Sequence, residues 1–199
     1  MPETAAAKPG LRERKKLKTR AAIQGAAMRL FLAHGYDETT VEDIAEAAEV
    51  SPSTFFNYFA TKEAVVLEDD LDPIIIAKFR DQPAGLPPVR AIRNAMREAF
   101  ASMTPDQARF LQQRQDLIMR APALRSAMLS DFAGLMAEIS DLVAARSGRS
   151  PGDFEVRNLS GAMLGVIIGV LFSAERERNA DALALLDRGL AHLEAGLPL

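Results

Sequence analysis

Apolar positions early in the chain recur with helical spacing. Ile23, Ala27, Leu30 and Phe31 fall at i, i+4, i+7 and i+8, His34 closes the series at i+11, and the face stops at Gly35. Thr40 followed three residues later by Asp43 matches a capping-box pattern, and Val41, Ile44, Ala45 and Ala48 supply the stripe of a second, short helix. A third start signal comes at Ser51-Pro52. A serine at the N-cap accepts from an otherwise orphaned amide, and a proline at the first helical position surrenders a bond that was never available. The third helix is predicted from Pro52 to about Phe59.

The periodicity then continues without any strand-like alternation. Residues 62–79 read as a fourth helix, interrupted or kinked at Pro73, and Asp81 to Pro88 (DQPAGLPP) as a loop. Further helices are predicted near 89–103, 105–120, 123–146, 152–177 and 180–195, punctuated at Thr104-Pro105, Pro122, Gly148 to Gly152 and Asn179. Eight or nine helices make an all-α chain. The expected organisation is a flexible basic arm (1–14), a three-helix helix-turn-helix module (15–64) and a larger helical domain (65–199).

Composition narrows the function classes. With 48% hydrophobic and 26% charged residues in 199, the chain has ordinary globular proportions. The absence of cysteine removes disulfides, thiolate metal sites and cysteine nucleophiles, and suits a reducing compartment. Residues 1–11 contain no apolar run of the kind that directs secretion, and a cytoplasmic location is expected. The two histidines, His34 and His192, lie far apart, and no phosphate loop, nucleophile elbow or HExxH pattern occurs. An enzyme is therefore not expected, and no cofactor is. The acidic run Glu68, Asp69, Asp70, Asp72 has no His or Cys beside it and reads as a solvated face rather than a metal site.

A net charge of -3 conceals a polar distribution. Eight Lys or Arg against two acids occupy residues 1–35, including Lys15, Lys18 and Arg20, whereas Asp37 to Glu49 holds six acids and no base. In a helix-turn-helix the first helix crosses the DNA backbone, so part of Arg12 to Arg20, Lys15 and Lys18 among them, is expected near phosphates. On a projection of the third helix, Phe55 and Phe59 lie about 40° apart and face the core, which points Ser53 and Asn57 away from it with Phe56 to one side. A solvated face would favour Lys and Glu. Asn is instead suited to adenine, and an exposed Phe to a thymine methyl, while Thr54 and Tyr58 flank the face where phosphates would run.

The stretch TTVEDIAEAAEVSPSTFFNYFATKEAVV (39–66) resembles the DNA-binding signature of the TetR family of one-component regulators. The resemblance implies a phosphate contact at the Thr40 N-cap, a reading helix that opens at Ser51, base reading by Pro52, Ser53, Phe56 and Asn57, and phosphate contacts from Tyr58 and Lys62. Ser53 stands where many relatives carry a basic residue, and Phe56 where tyrosine is frequent, so an arginine-to-guanine contact and a hydroxyl-mediated one are not carried over. Membership would make the protein a bacterial, ligand-responsive regulator, most often a repressor, acting as a homodimer on an inverted-repeat operator. The alternatives are an activator of the same fold and a helical protein that binds DNA without sequence preference.

In the remaining chain, six of the eight methionines lie between Met96 and Met163, interleaved with phenylalanines. Met and Phe linings suit an adaptable apolar pocket. Met96, Phe100, Met103, Phe110, Leu111, Gln115, Met128, Phe132 and Met136 are expected to line one for a hydrophobic or amphipathic effector, with Asn94, Gln112, Arg114 or Gln115 as polar anchors. Asn158 to Ala174 is uncharged over 17 residues but flanked by charges, a buried helix rather than a membrane span. Its Gly161, Gly165 and Gly169 form a groove at i, i+4, i+8. With Leu186 and Leu190 of the leucine stripe 183–197, they are expected to form a two-helix dimer face.

Overall fold

The computed structural model describes residues 10–68, 71–176 and 182–199. Every regular element among these residues is a helix, and the chain divides into two compact units between Glu68 and Asp69. Most of the expected arm, Asp69 and Asp70 of the acidic run, and the turn around Asn179 lie outside the described residues.

The first unit contains α1 (Leu11–His34), α2 (Val41–Ala47), α3 (Pro52–Tyr58) and α4 (Lys62–Leu67). Residues 11–14, expected in the arm, are already helical. Ile23, Ala26, Ala27 and Phe31 of α1 are buried, Leu30 is half-buried, and His34 is exposed rather than part of the core face. Gly35 ends α1 at φ 94°, ψ 157°, a conformation that a Cβ disfavours, with its N–H bonded to Phe31 O. The two short helices then begin where the polar signals place them. Thr40 and Asp43 form a reciprocal capping box on α2, and Ser51 caps α3 by accepting from Thr54 N at 3.1 Å. Thr61 does the same for α4 through Ala64 N at 3.1 Å. Ile44, Phe55, Phe59, Val65 and Val66 close the core from the other three helices.

Residues 62–79 do not form the single kinked helix expected from periodicity. α4 ends at Leu67, where Glu68 turns extended (φ -79°, ψ 122°), and α5 (Leu71–Asp81) follows. Pro73 is the third residue of α5. Its missing N–H falls in a first turn, where the amide has no intrahelical acceptor, so it starts a helix rather than bending one.

The second unit continues with α6 (Pro88–Ala101), α7 (Pro105–Arg120), α8 (Pro122–Ser130), α9 (Phe132–Ser147), α10 (Phe154–Arg176) and α11 (Ala182–Glu194). The predicted helix over 123–146 is thus two. Asp131 leaves helical geometry (φ -92°, ψ 8°) and lays its carboxylate over Gly134, in space where a Cβ would come within 2.7 Å of Oδ1. Helices α6, α9, α10 and α11 surround a core of Met96, Ile139, Val143, Val156, Met163 and Leu190. Arg146 fastens the DQPAGLPP loop: its guanidinium donates to Phe79 O, Gln82 O, Pro83 O and Leu86 O and covers the Phe79 ring at 5.2 Å. On the opposite side, Arg93 makes two 3.2 Å bonds to the Asp187 carboxylate and a 2.9 Å bond to Glu194, tying α6 to α11. Among the described residues no helix is long and apolar enough to cross a membrane.

Candidate nucleic-acid interface and internal cavity

Helix α3 is seven residues long and rooted by two aromatic rings. Phe55 is wholly buried and Phe59 nearly so, their ring centres 5.9 Å apart, and Phe56 stacks edge-on against Phe55 at 5.3 Å. Phe56 nonetheless leaves 53% of its surface in solvent, beside exposed Ser53 and Asn57. The fold thus exposes, side by side, three of the four residues expected to read bases. Pro52 is exposed at the start of the helix.

The hydroxyls around the start of α3 are mutually engaged. Ser51 Oγ lies 2.9 Å from Ser53 Oγ and 2.8 Å from Thr54 Oγ1 while accepting from Thr54 N. A hydroxyl keeps spare donor and acceptor capacity, so this cluster fixes rotamers without exhausting them. Thr40 is exposed, with its hydroxyl donating to Asp43 Oδ2 at 2.6 Å. The Thr40 bonds hold the Asp43 carboxyl below its ordinary range.

Lys62, expected at a phosphate, is already bound within the protein. Its ammonium donates to Tyr36 O and Thr39 O, both at 3.0 Å, and sits 4.1 Å from the Tyr36 ring centre, leaving one of three donors free. Tyr36 itself is buried and donates to Glu63 Oε1 at 2.6 Å. Burial and the facing Glu63 carboxylate push the phenol far above its usual range, and the bond from Tyr36 lowers Glu63. Arg20 is likewise internal. It pairs with Glu68 at 2.8 Å, donates to Tyr58 O at 3.3 Å and covers the Phe59 ring at 4.4 Å, which removes it from the α1 cations expected at phosphates. Gln24 donates to Glu68 O at 2.8 Å. Lys15 and Lys18 remain exposed on α1, and the acids Glu42 and Glu46 are solvated on α2. Sequence reasoning missed Tyr36, Glu63, Arg20, Gln24 and Glu68, whose partners lie 26 to 48 residues away with no local pattern to mark them.

In the second unit a cavity of about 370 Å³ opens between α5, α6, α7, α10 and α11. Four of the expected lining residues are there, Phe100, Met103, Leu111 and Gln115, joined by Gln112. The other five are elsewhere. Met96 is buried in the core, Met136 packs against that core and approaches Gly161, Phe110 is 39% exposed, and Met128 and Phe132 are half-buried away from the cavity wall. Of the other proposed anchors, Asn94 is bonded to Gln82 at 3.2 Å and, like Arg114, does not line the wall. Methionine content points to the region of this cavity but not to the helix faces that line it. Leu71, Ile167, Val170, Leu183 and Leu186 complete the wall.

Two members of the expected dimer face are therefore corrected. Leu186 lines the cavity, and Leu190, 1% exposed, belongs to the protomer's own core because α11 packs inward on α6 and α10. Gly161 faces Met136 within the chain. Gly165 and Gly169 differ: both are exposed, and a Cβ on either would meet nothing within 4 Å. The close approach falls at Gly189 instead, where a Cβ would come within 2.7 Å of Val166.

Residues 23–68 match the family described as bacterial regulatory proteins, tetR family, and residues 86–198 match the MftR C-terminal domain. The regulator TcmR of Streptomyces glaucescens is 36% identical over 147 residues, 70% of this chain and 65% of that protein. MftR of Mycobacterium tuberculosis is 28% identical over 187 residues, 92% and 93% of the two chains. Among solved structures, the TetR-family repressor FadR of Thermus thermophilus in complex with lauroyl-CoA superposes with a TM-score of 0.56 at 25% identity, covering 90% of this chain and 95% of that one. The SmeT-triclosan complex shares the fold, with a TM-score of 0.58 at 22% identity over 87% and 90%.

Proposed function

The chain belongs to the TetR family of bacterial regulatory proteins, and from that premise we propose that it is a ligand-responsive repressor. In this reading it acts in the cytoplasm as a homodimer and releases an inverted-repeat operator when a hydrophobic or amphipathic small molecule occupies the second unit. The observation that carries the DNA-reading half is the outward face of α3. A half-exposed phenylalanine, an amide and a hydroxyl stand on a helix whose opposite side is anchored by Phe55 and Phe59. Such a face is poor surface design but good base-edge chemistry. Lys15, Lys18, Thr40, Thr54, Tyr58 and the free donor of Lys62 would supply backbone contacts around it.

The apolar cavity supports the ligand-responsive half. It has the size and lining of a small-molecule site, and a family member solved with lauroyl-CoA shares the fold at 25% identity. The open groove at Gly165 and Gly169 supports a close helix approach across a twofold axis. Selection of duplexes from a randomised library by the full chain, followed by footprinting, tests the reading. The expected product is an inverted repeat with half-sites about 34 to 36 Å apart, or a multiple of that. Recovery of unrelated sequences, or of a single asymmetric site bound by one protomer, would overturn it.

A further inference from the structure

The cavity wall carries one polar group that the fold leaves unused. Gln115 Nε2 is shielded from solvent and has no hydrogen-bond partner among the described residues, and Gln115 lines the cavity alongside Phe100, Met103, Leu111 and Ile167. Buried amide donors are almost always paired, because water stripped from an N–H must be replaced. The neighbouring amide does not serve: Gln112 donates through Nε2 to Asp116 Oδ1 at 3.1 Å, and its oxygen makes no bond to Gln115 Nε2. Water is a poor substitute here. An ordered internal water takes about three partners, and the described wall offers two amides among aliphatic and aromatic side chains.

We propose that Gln115 is the recognition point of the effector, and that the effector is an apolar molecule burying a neutral hydrogen-bond acceptor, a carbonyl or ether oxygen, against Gln115 Nε2. The inference rests on the reading of this cavity as the effector site. An amide nitrogen only donates, so the matching ligand atom accepts. The acceptor is neutral because none of the described lining residues is charged, and a carboxylate buried without a cation is strongly disfavoured.

A matched pair of probes isolates that single bond: 2-acetylnaphthalene, and 2-isopropenylnaphthalene, which has the same outline with a methylene in place of the carbonyl oxygen. Calorimetric titration of the full chain and of its Gln115→Leu and Gln115→Met variants gives the ratio of ketone to alkene affinity in each. The ratio is expected to fall about tenfold from wild type to either variant, the alkene binding no more weakly than before. Ligand-free variants are expected to melt at or above the wild-type temperature, since a buried unpaired donor has been removed. A ratio unchanged by both substitutions overturns the proposal while leaving the cavity as an effector site. Failure of both probes to bind any of the three proteins would overturn the cavity reading, and the role of Gln115 with it.

Discussion

Lys62 at the start of α4 is clamped on Tyr36, donating to its carbonyl at 3.0 Å while its ammonium lies 4.1 Å from the centre of the same ring. With the bond to Thr39 O, this fastens the linker between α1 and α2 to the helix that follows α3. Hydrogen bonds from a charged donor contribute about 1.5 to 3 kcal/mol, and a desolvated cation over an aromatic face adds to them. Lys62→Met is expected to destabilise the first unit by about 2 kcal/mol and to weaken binding to every duplex alike. Urea unfolding monitored by tyrosine fluorescence, with both Tyr36 and Tyr58 in the first unit, checks the first effect. An unchanged midpoint would show that the clamp contributes nothing.

The Tyr36–Glu63 bond gives the first unit a defined pH response. Glu63 is lowered in the folded state, chiefly by the bond from Tyr36, so its contribution is complete above the unfolded glutamate pKa of about 4.3 and is lost as pH falls through the lower folded value. Tyr36 is raised, so its contribution is complete below the unfolded tyrosine pKa of about 10 and declines as pH rises beyond it. Tyr36→Phe should flatten the acid limb of stability measured between pH 5 and pH 2.5 and remove the alkaline limb attributable to this phenol. Parallel curves for the two proteins would contradict the assignment.

Asn57 is exposed on the reading face. Asn57→Ala is expected to cost about 1 to 3 kcal/mol on the selected operator and little on random DNA. Comparison of the two affinities at one salt concentration decides the matter, because equal losses mean that the residue does not read sequence.

Glu49, in the turn between α2 and α3, has φ 56°, a left-handed conformation that costs an ordinary side chain about 1 to 2 kcal/mol. Glycine removes that strain but adds unfolded-state entropy of about 0.5 to 1 kcal/mol. Glu49→Gly should therefore stabilise the unit by about 0.5 kcal/mol. It also deletes a negative charge near the proposed DNA face, so affinity for any duplex should rise, and rise most at low salt. Destabilisation in thermal melts would show that the Glu49 side chain outweighs its backbone strain.

Gly165 has open space where its Cβ would be. Gly165→Leu should leave the protomer as stable or more so, because glycine is a weak helix former, by about 1 kcal/mol relative to alanine. If α10 meets its twin across a dimer axis, the same substitution separates the helices and raises the dimer dissociation constant. Sedimentation equilibrium measures it, and an unaltered constant excludes this face.

Local chemistry alone determined much of this protein. The starts of α2, α3 and α7 follow from Thr40 with Asp43, Ser51 with Pro52, and Thr104 with Pro105, because a cap and its amide lie within three or four residues of each other. The outward direction of Ser53 and Asn57 follows from the same short range, since 100° per residue sets them opposite Phe55 and Phe59 and leaves Phe56 to one side. Tertiary structure decided what depends on distant partners. Periodicity cannot say that α4 stops at Leu67, since Val66 and Leu67 before the acidic run and Leu71 and Ile74 after it keep helical spacing. Nor can it tell that Arg20 is held by Glu68 and Phe59 rather than offered to phosphate. The leucine stripe of α11 could have faced a second copy or its own core. Packing against α6 and α10 turned Leu190 inward and Leu186 toward the cavity, and left the open surface at Gly165 and Gly169. An amphipathic face specifies that something must cover it, and only the assembled chain specifies what.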